Sequence, residues 1–139
     1  LFLAASTALI VVDIVCIVII VAWAGTWLLN RWRRNHYATV LDEDEFQKGM
    51  HKAQVLDLRN KEDFKRGHIL GARSMPLAYL QQTYADLRPD LPVYLYDAGE
   101  ALSIQGARLL SKHGFQHVYI LKGGYAKWNG KTKKAKYTD

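Results

Sequence analysis

Two acids and a hydroxyl, Asp97, Glu100 and Ser103, fall in one short segment directly after the apolar run Val93-Tyr94-Leu95-Tyr96. That run is rich in aromatic and β-branched residues and reads as a buried strand. Asp97 ends it, Ala98-Gly99-Glu100 forms a short loop, and Ala101 opens a helix-forming stretch to about Lys112. A strand–loop–helix of this shape aims backbone N–H groups and a helix N-terminus at one point, which suits an anion or a thiolate. Three roles are open to Asp97 there. As a nucleophile it would need a phosphoryl-transfer setting, yet the Asp-x-Asp arrangement of aspartate-nucleophile hydrolases is missing and the nearest acid, Glu100, sits in the loop itself. As a plug, its carboxylate would accept the loop N–H groups that otherwise hold substrate, steadying the loop and shutting out anions. As a contact residue, it would meet a partner at the mouth of a crevice.

Asp57 and Arg59 form a second candidate pair, read either as catalytic or as an ion pair tying a strand end to the following loop. His68 lies in a Gly-His-Ile motif, where a hydrogen-bonded structural role fits better than acid–base work. The five histidines do not cluster, and the single cysteine, Cys16, is far away in sequence, so no zinc site and no other cofactor are expected. Gly123 and Gly124 suit tight backbone geometry, and Trp128 suits a core or lid contact.

The elements that must position these residues alternate. Thr39-Val40-Leu41 is a short apolar piece before Asp42, a capping residue for a helix to about Lys52. Val55 to Leu58 reads as a buried strand, Asn60 to Arg66 as a single helical turn, and Ala72 to Pro76 as a strand. A helix over Leu77 to Leu87 precedes the Arg88-Pro89-Asp90-Leu91-Pro92 turn, and Val118 to Leu121 is a last strand. Strands alternating with helices imply a mostly parallel sheet covered on both faces, with the functional crevice beyond the carboxyl ends of the strands.

Three motifs stand in order across residues 38–130. The first is Gln54-Val55-Leu56-Asp57-Leu58-Arg59, a strand ending in Asp-x-Arg. The second runs Glu62-Asp63-Phe64-Lys65-Arg66-Gly67-His68-Ile69-Leu70-Gly71-Ala72-Arg73-Ser74-Met75-Pro76. The third is Gly114-Phe115, followed by Val118-Tyr119-Ile120-Leu121-Lys122-Gly123-Gly124-Tyr125-Ala126-Lys127-Trp128. Together they resemble the rhodanese-like, sulfurtransferase-related family. The resemblance implies that family's α/β fold and assigns Asp57 and Arg59 a bracing role. It makes position 97 that of the persulfide-carrying cysteine, and the position before the loop-closing serine that of an arginine. Here Asp97 and Leu102 stand at those positions, ahead of Ser103. A carboxylate cannot carry sulfane sulfur, so the resemblance implies a fold kept and a chemistry lost.

Residues 1–30 hold one charged side chain, Asp13, among Leu, Ile, Val, Ala and Trp. About 20 apolar residues span a bilayer as a helix, and a helix satisfies its own backbone in lipid. A cleaved signal peptide competes, since Ala22-Trp23-Ala24 mimics a cleavage site, but the apolar run continues through Leu29 and no basic segment precedes it. With no initiator Met at the start, a few upstream residues are expected. Arg31, Arg33 and Arg34 follow the run, placing the N-terminus outside and the rest in the cytoplasm by the positive-inside tendency. At helical spacing Ser6, Asp13, Cys16 and Ala24 share one stripe, suited to packing against another membrane helix, although Asp13 could instead reach the outer interface.

The formal net charge of +6 is concentrated at the flanks: residues 36–128 hold 12 Lys or Arg against 11 Asp or Glu. A nearly neutral domain argues against nucleic acid as a partner. Basic flanks at Arg31, Arg33 and Arg34 and at Lys131–Lys136 suit an anionic leaflet. The expected organisation is a transmembrane helix over 1–30, a basic linker over 31–37, a rhodanese-like domain over 38–128 and a basic tail over 129–139. The expected function is an inactive, membrane-anchored interaction or regulatory module recruiting a membrane protein or complex. The alternatives are an enzyme of the same superfamily that borrows a partner's cysteine, or a sensor of a small anion.

Overall fold

The computed structural model describes residues 2–134, in two units divided after Trp32. Helix α1 is Phe2–Tyr37. Within it, Ser6–Trp32 is 27 residues long with mean hydropathy 2.8, long and apolar enough to cross a membrane. Ser6, Asp13, Cys16 and Ala24 are all exposed on it. The Arg31 guanidinium lies 5.4 Å from the ring of Trp27, one helical turn back. Residues 31–37, expected as a linker, continue this helix.

The second unit is built on strands β1 (Thr39–Leu41), β2 (Gln54–Asp57), β4 (Arg73–Ser74), β5 (Val93–Tyr96) and β6 (Val118–Leu121). They form one sheet in the order β1-β6-β5-β2-β4, and every pairing is parallel. Residues of β5 alternate between two cores. Val93 and Leu95 face Leu80 and Leu110 of helices α4 (Leu77–Thr83) and α5 (Ala101–Lys112). Tyr94 and Tyr96 face Phe46 of helix α2 (Glu43–Gly49). All four β5 residues are buried, which explains the unbroken apolar run in the sequence. Helix α5 lies close on the sheet because Gly106 has no side chain: a Cβ there would come within 2.7 Å of Leu58 Cδ1.

Local capping fixes the helix starts. The Asp42 carboxylate accepts from the Glu45 N–H at 2.8 Å, and the Asn60 side-chain oxygen accepts from the Asp63 N–H at 2.9 Å. The latter opens α3 (Lys61–Arg66), longer than the single turn expected. Two short strands were not foreseen. β3 (His68–Ile69) pairs antiparallel with β7 (Thr132–Lys133), and the Leu70 N–H donates to the Lys131 carbonyl at 3.1 Å. Residues 131–133, expected in the tail beyond residue 128, are hydrogen-bonded to the segment 68–70. Lys136 lies outside the described residues.

Candidate functional site

Parallel pairing brings the ends of β2 and β5 together, with Asp57 in register with Tyr96. Asp97 comes next on the chain and is 4% exposed. One of its carboxylate oxygens accepts the Ser103 hydroxyl at 2.7 Å, and the other accepts the Leu102 N–H at 3.2 Å. Both donors belong to the first turn of α5, so the acid lies at the N-terminal end of that helix, where the helix dipole favours negative charge. Both carboxylate oxygens are thus engaged and the group is buried. Ala98, Gly99 and Ala101 form the exposed outer side of the loop.

A second turn is stapled to this loop. The carbonyls of Asp97 and Ala98 accept from the N–H groups of Tyr125 and Ala126, at 2.8 and 3.2 Å. A Cβ on Gly124 would collide with backbone atoms of Gly99, Asp97 and Ala98, and φ at this residue is +64°. Only glycine permits both the approach and the conformation. Glu100 adds a bond across the same junction, accepting the Gly123 N–H at 3.3 Å. Sequence reasoning named Glu100 only as a loop acid, because its partner lies in a distant turn.

Asp57, fully buried, and Arg59 form the expected ion pair, with Nη2 2.8 Å from the carboxylate and Nε sharing both oxygens. The same Nη2 donates to the Gly67 carbonyl at 2.7 Å. The guanidinium sits 4.2 Å from the Tyr125 ring and 5.9 Å from that of Tyr96. Burial works against its charge, but the hydrogen bonds and charge of Asp57 outweigh that, and Arg59 is held above its ordinary value. Burial, followed by the Asp57 charge, pushes the Tyr96 hydroxyl well above the normal tyrosine range. That hydroxyl accepts the Ile69 N–H at 3.1 Å. Tyr96 and Tyr125 were missed from sequence as members of this network; their only signal was aromatic character at a strand end and in a Gly-Gly turn.

His68 is not part of the loop. Its Nδ1 donates to the Phe64 carbonyl at 2.7 Å, and its ring stacks on Phe64 at 3.7 Å, the structural role expected. Leu102 faces a crevice of about 810 Å³ whose lining includes Leu58, Lys61, Pro76, Leu77 and Tyr79. This crevice opens at the carboxyl ends of β2 and β4, where parallel α/β sheets place their sites.

An all-parallel sheet clad on both faces, with a loop-borne site past the strand ends, defines an α/β domain of the strand-end-crevice class. The chain belongs to the rhodanese-like domain family, whose model matches residues 42–131. The uncharacterized protein YqhL of Bacillus subtilis (strain 168) is 47% identical over 96 residues, which cover 69% of this chain and 76% of that protein. Among solved structures, the Alr3790 protein from Anabaena is 31% identical with a TM-score of 0.64, the match covering 69% of this chain and 81% of that one. The thiosulfate sulfurtransferase from Pseudomonas aeruginosa is 28% identical with a TM-score of 0.63, over 70% of this chain and 20% of that enzyme.

Proposed function

We propose that this chain is a membrane-anchored rhodanese-like domain that does not transfer sulfur and serves as an interaction or regulatory module at the cytoplasmic face. The observation that carries the reading is the Asp97 carboxylate, buried in the loop mouth and satisfied by Leu102 N–H and Ser103 Oγ. Sulfur transfer needs a thiolate to form a persulfide. A carboxylate in that place supplies none, and it occupies a donor that a bound anion would use. The same occupancy speaks against an anion sensor. A partner of the domain would meet the apolar crevice beside Leu102, Leu77 and Tyr79. Helix α1 would be the anchor, its stripe of Ser6, Asp13, Cys16 and Ala24 facing a second membrane protein. Arg31, Arg33 and Arg34, helped by the lysines that follow Lys131 in the basic tail, would meet the anionic leaflet.

A thiosulfate:cyanide assay on the full chain should give no turnover above a buffer blank, and turnover that scales with protein after repurification would overturn the reading. Asp97→Cys should restore little activity, and Asp97→Cys with Leu102→Arg should restore more. Membrane fractions should retain the chain through alkaline carbonate washing, with the domain shielded from protease added outside intact cells.

A further inference from the structure

A second depression, about 540 Å³, shares no lining residue with the crevice. Met50, Val55, Leu70 and Trp128 give it an apolar floor, and His51 and Lys131 stand in its lining. Its parts are fixed to one another through a single carbonyl: that of Lys131 accepts both the Leu70 N–H at 3.1 Å and the Trp128 indole N–H at 3.3 Å. Trp128 is held from its other side by the ring of Phe46, edge-on at 5.9 Å. The site is thus preformed, so an occupant need not order it. Leu70 is nevertheless 45% exposed, and it and Tyr79 are the large hydrophobic residues left exposed in the compact unit among the described residues.

Lys131 is the charged side chain among the described residues that line this depression. No acid lines it. Glu43, which reaches toward Gln47, is engaged by the Asn129 N–H at 2.6 Å. Lys131 has no ion pair among the described residues, nor have Lys48 in the last turn of α2 and Lys52 three residues beyond that helix, nor Lys133 and Lys134 next along the chain. A concave apolar floor asks for a protruding apolar side chain, whereas a flat leaflet would engage Lys133 and Lys134 and leave the floor empty. An apolar floor of Met50, Val55, Leu70 and Trp128 also offers a small anion no donors.

We propose that this depression docks an acidic segment of a partner protein. An apolar side chain seats on Met50, Leu70 and Trp128, and flanking carboxylates meet Lys131 and the neighbouring lysines. Tryptophan in a preformed pocket is the usual centre of such binding, with the lysines setting encounter rate and partner choice. The proposal goes beyond the reading of the loop and holds whether or not the crevice has an occupant.

The test pans a random displayed dodecapeptide library against the full chain in phosphatidylcholine nanodiscs, and measures the enriched peptides, once synthesised, by fluorescence polarisation. Enriched sequences should combine net negative charge with at least one large apolar residue. Their affinity should fall at least tenfold with Lys131→Glu and with Leu70→Glu, and stay unchanged with Tyr79→Ala in the crevice. Absence of enrichment over empty nanodiscs, enrichment without acidic bias, or equal binding by Lys131→Glu would overturn the proposal. So would co-sedimentation with phosphatidylserine vesicles that falls as steeply with Lys131→Glu as peptide binding does, since the lysine would then belong to a lipid surface. The charge bias is read on the unaltered chain, so the result does not hang on how a variant folds.

Discussion

Asp57 and Asp97 end neighbouring parallel strands, and both are buried, yet they are neutralised in opposite ways. Asp57 faces a guanidinium that it binds with both oxygens, and that cation is clasped in turn by the Gly67 carbonyl and the Tyr125 ring. Asp97 meets a backbone N–H and a hydroxyl, with a helix N-terminus behind them. The first arrangement is a charge pair that leaves a buried cation behind if broken. The second is an anion held by neutral donors, which water or a smaller polar group can replace in part. On the reading proposed above, the difference separates a brace, whose removal should unsettle the domain most, from a plug, whose removal should unsettle it less.

The largest effect should follow from breaking the brace. Asp57→Ala strands Arg59 beside two aromatic rings, and loss of one partner of a buried pair destabilises by about 3–5 kcal/mol. Chemical denaturation of the full chain would read this, and removing both charges with Asp57→Leu and Arg59→Met should recover much of the loss. If Asp57→Ala proved no worse than Asp97→Ala, the distinction between brace and plug would fail. Asp97→Ala should lower stability by about 1–3 kcal/mol, since the Leu102 N–H and Ser103 hydroxyl lose their acceptor. Asp97→Asn should lose less, because its carbonyl oxygen still accepts one of them.

Next in size is an alkaline effect. The Tyr96 hydroxyl has a raised pKa in the folded chain, so the folded state keeps a proton that the unfolded state gives up above about pH 10. Stability should therefore be level below that pH and fall as pH rises past it. Tyr96→Phe should reduce the fall without abolishing it, because burial and then the Tyr119 charge also raise Tyr94. At neutral pH the same substitution removes the acceptor for the Ile69 N–H, a loss of about 1 kcal/mol. An alkaline limb identical in Tyr96→Phe would place the linked proton elsewhere.

The brace and the plug were legible in the sequence to different depths. Asp57 with Arg59 two residues on, and Asp97 before a glycine loop and a helix, are local patterns; the structure pairs the first two and bonds the third to the start of α5. Strands β5 and β6 and helix α5 also match, because continuous apolar runs and a long helix-forming stretch carry their own signal. What was not legible comes from distant segments. Tyr125 reaches Arg59 across 66 positions of sequence, and Glu100 bonds to Gly123 from another turn. The two-residue strands β3 and β7 have no period to detect, and tertiary contact alone sets their pairing. The basic composition of 129–139 suggested a tail outside the domain for the same reason: lysine content says nothing about which carbonyl a backbone N–H will find.

That β3–β7 pairing also orders the birth of the molecule. All five strands of the main sheet are complete once Leu121 has been made, but His68 and Ile69 wait for Thr132 and Lys133. Segments emerge from the ribosome in sequence, and domains settle as units as they appear. The floor of Leu70 and Trp128 is therefore the part of the domain that depends on the latest-made residues, because the Lys131 carbonyl joins the two. The strand-end crevice draws on no residue beyond Gln105, whereas the depression at Leu70 and Trp128 needs the chain through Lys131.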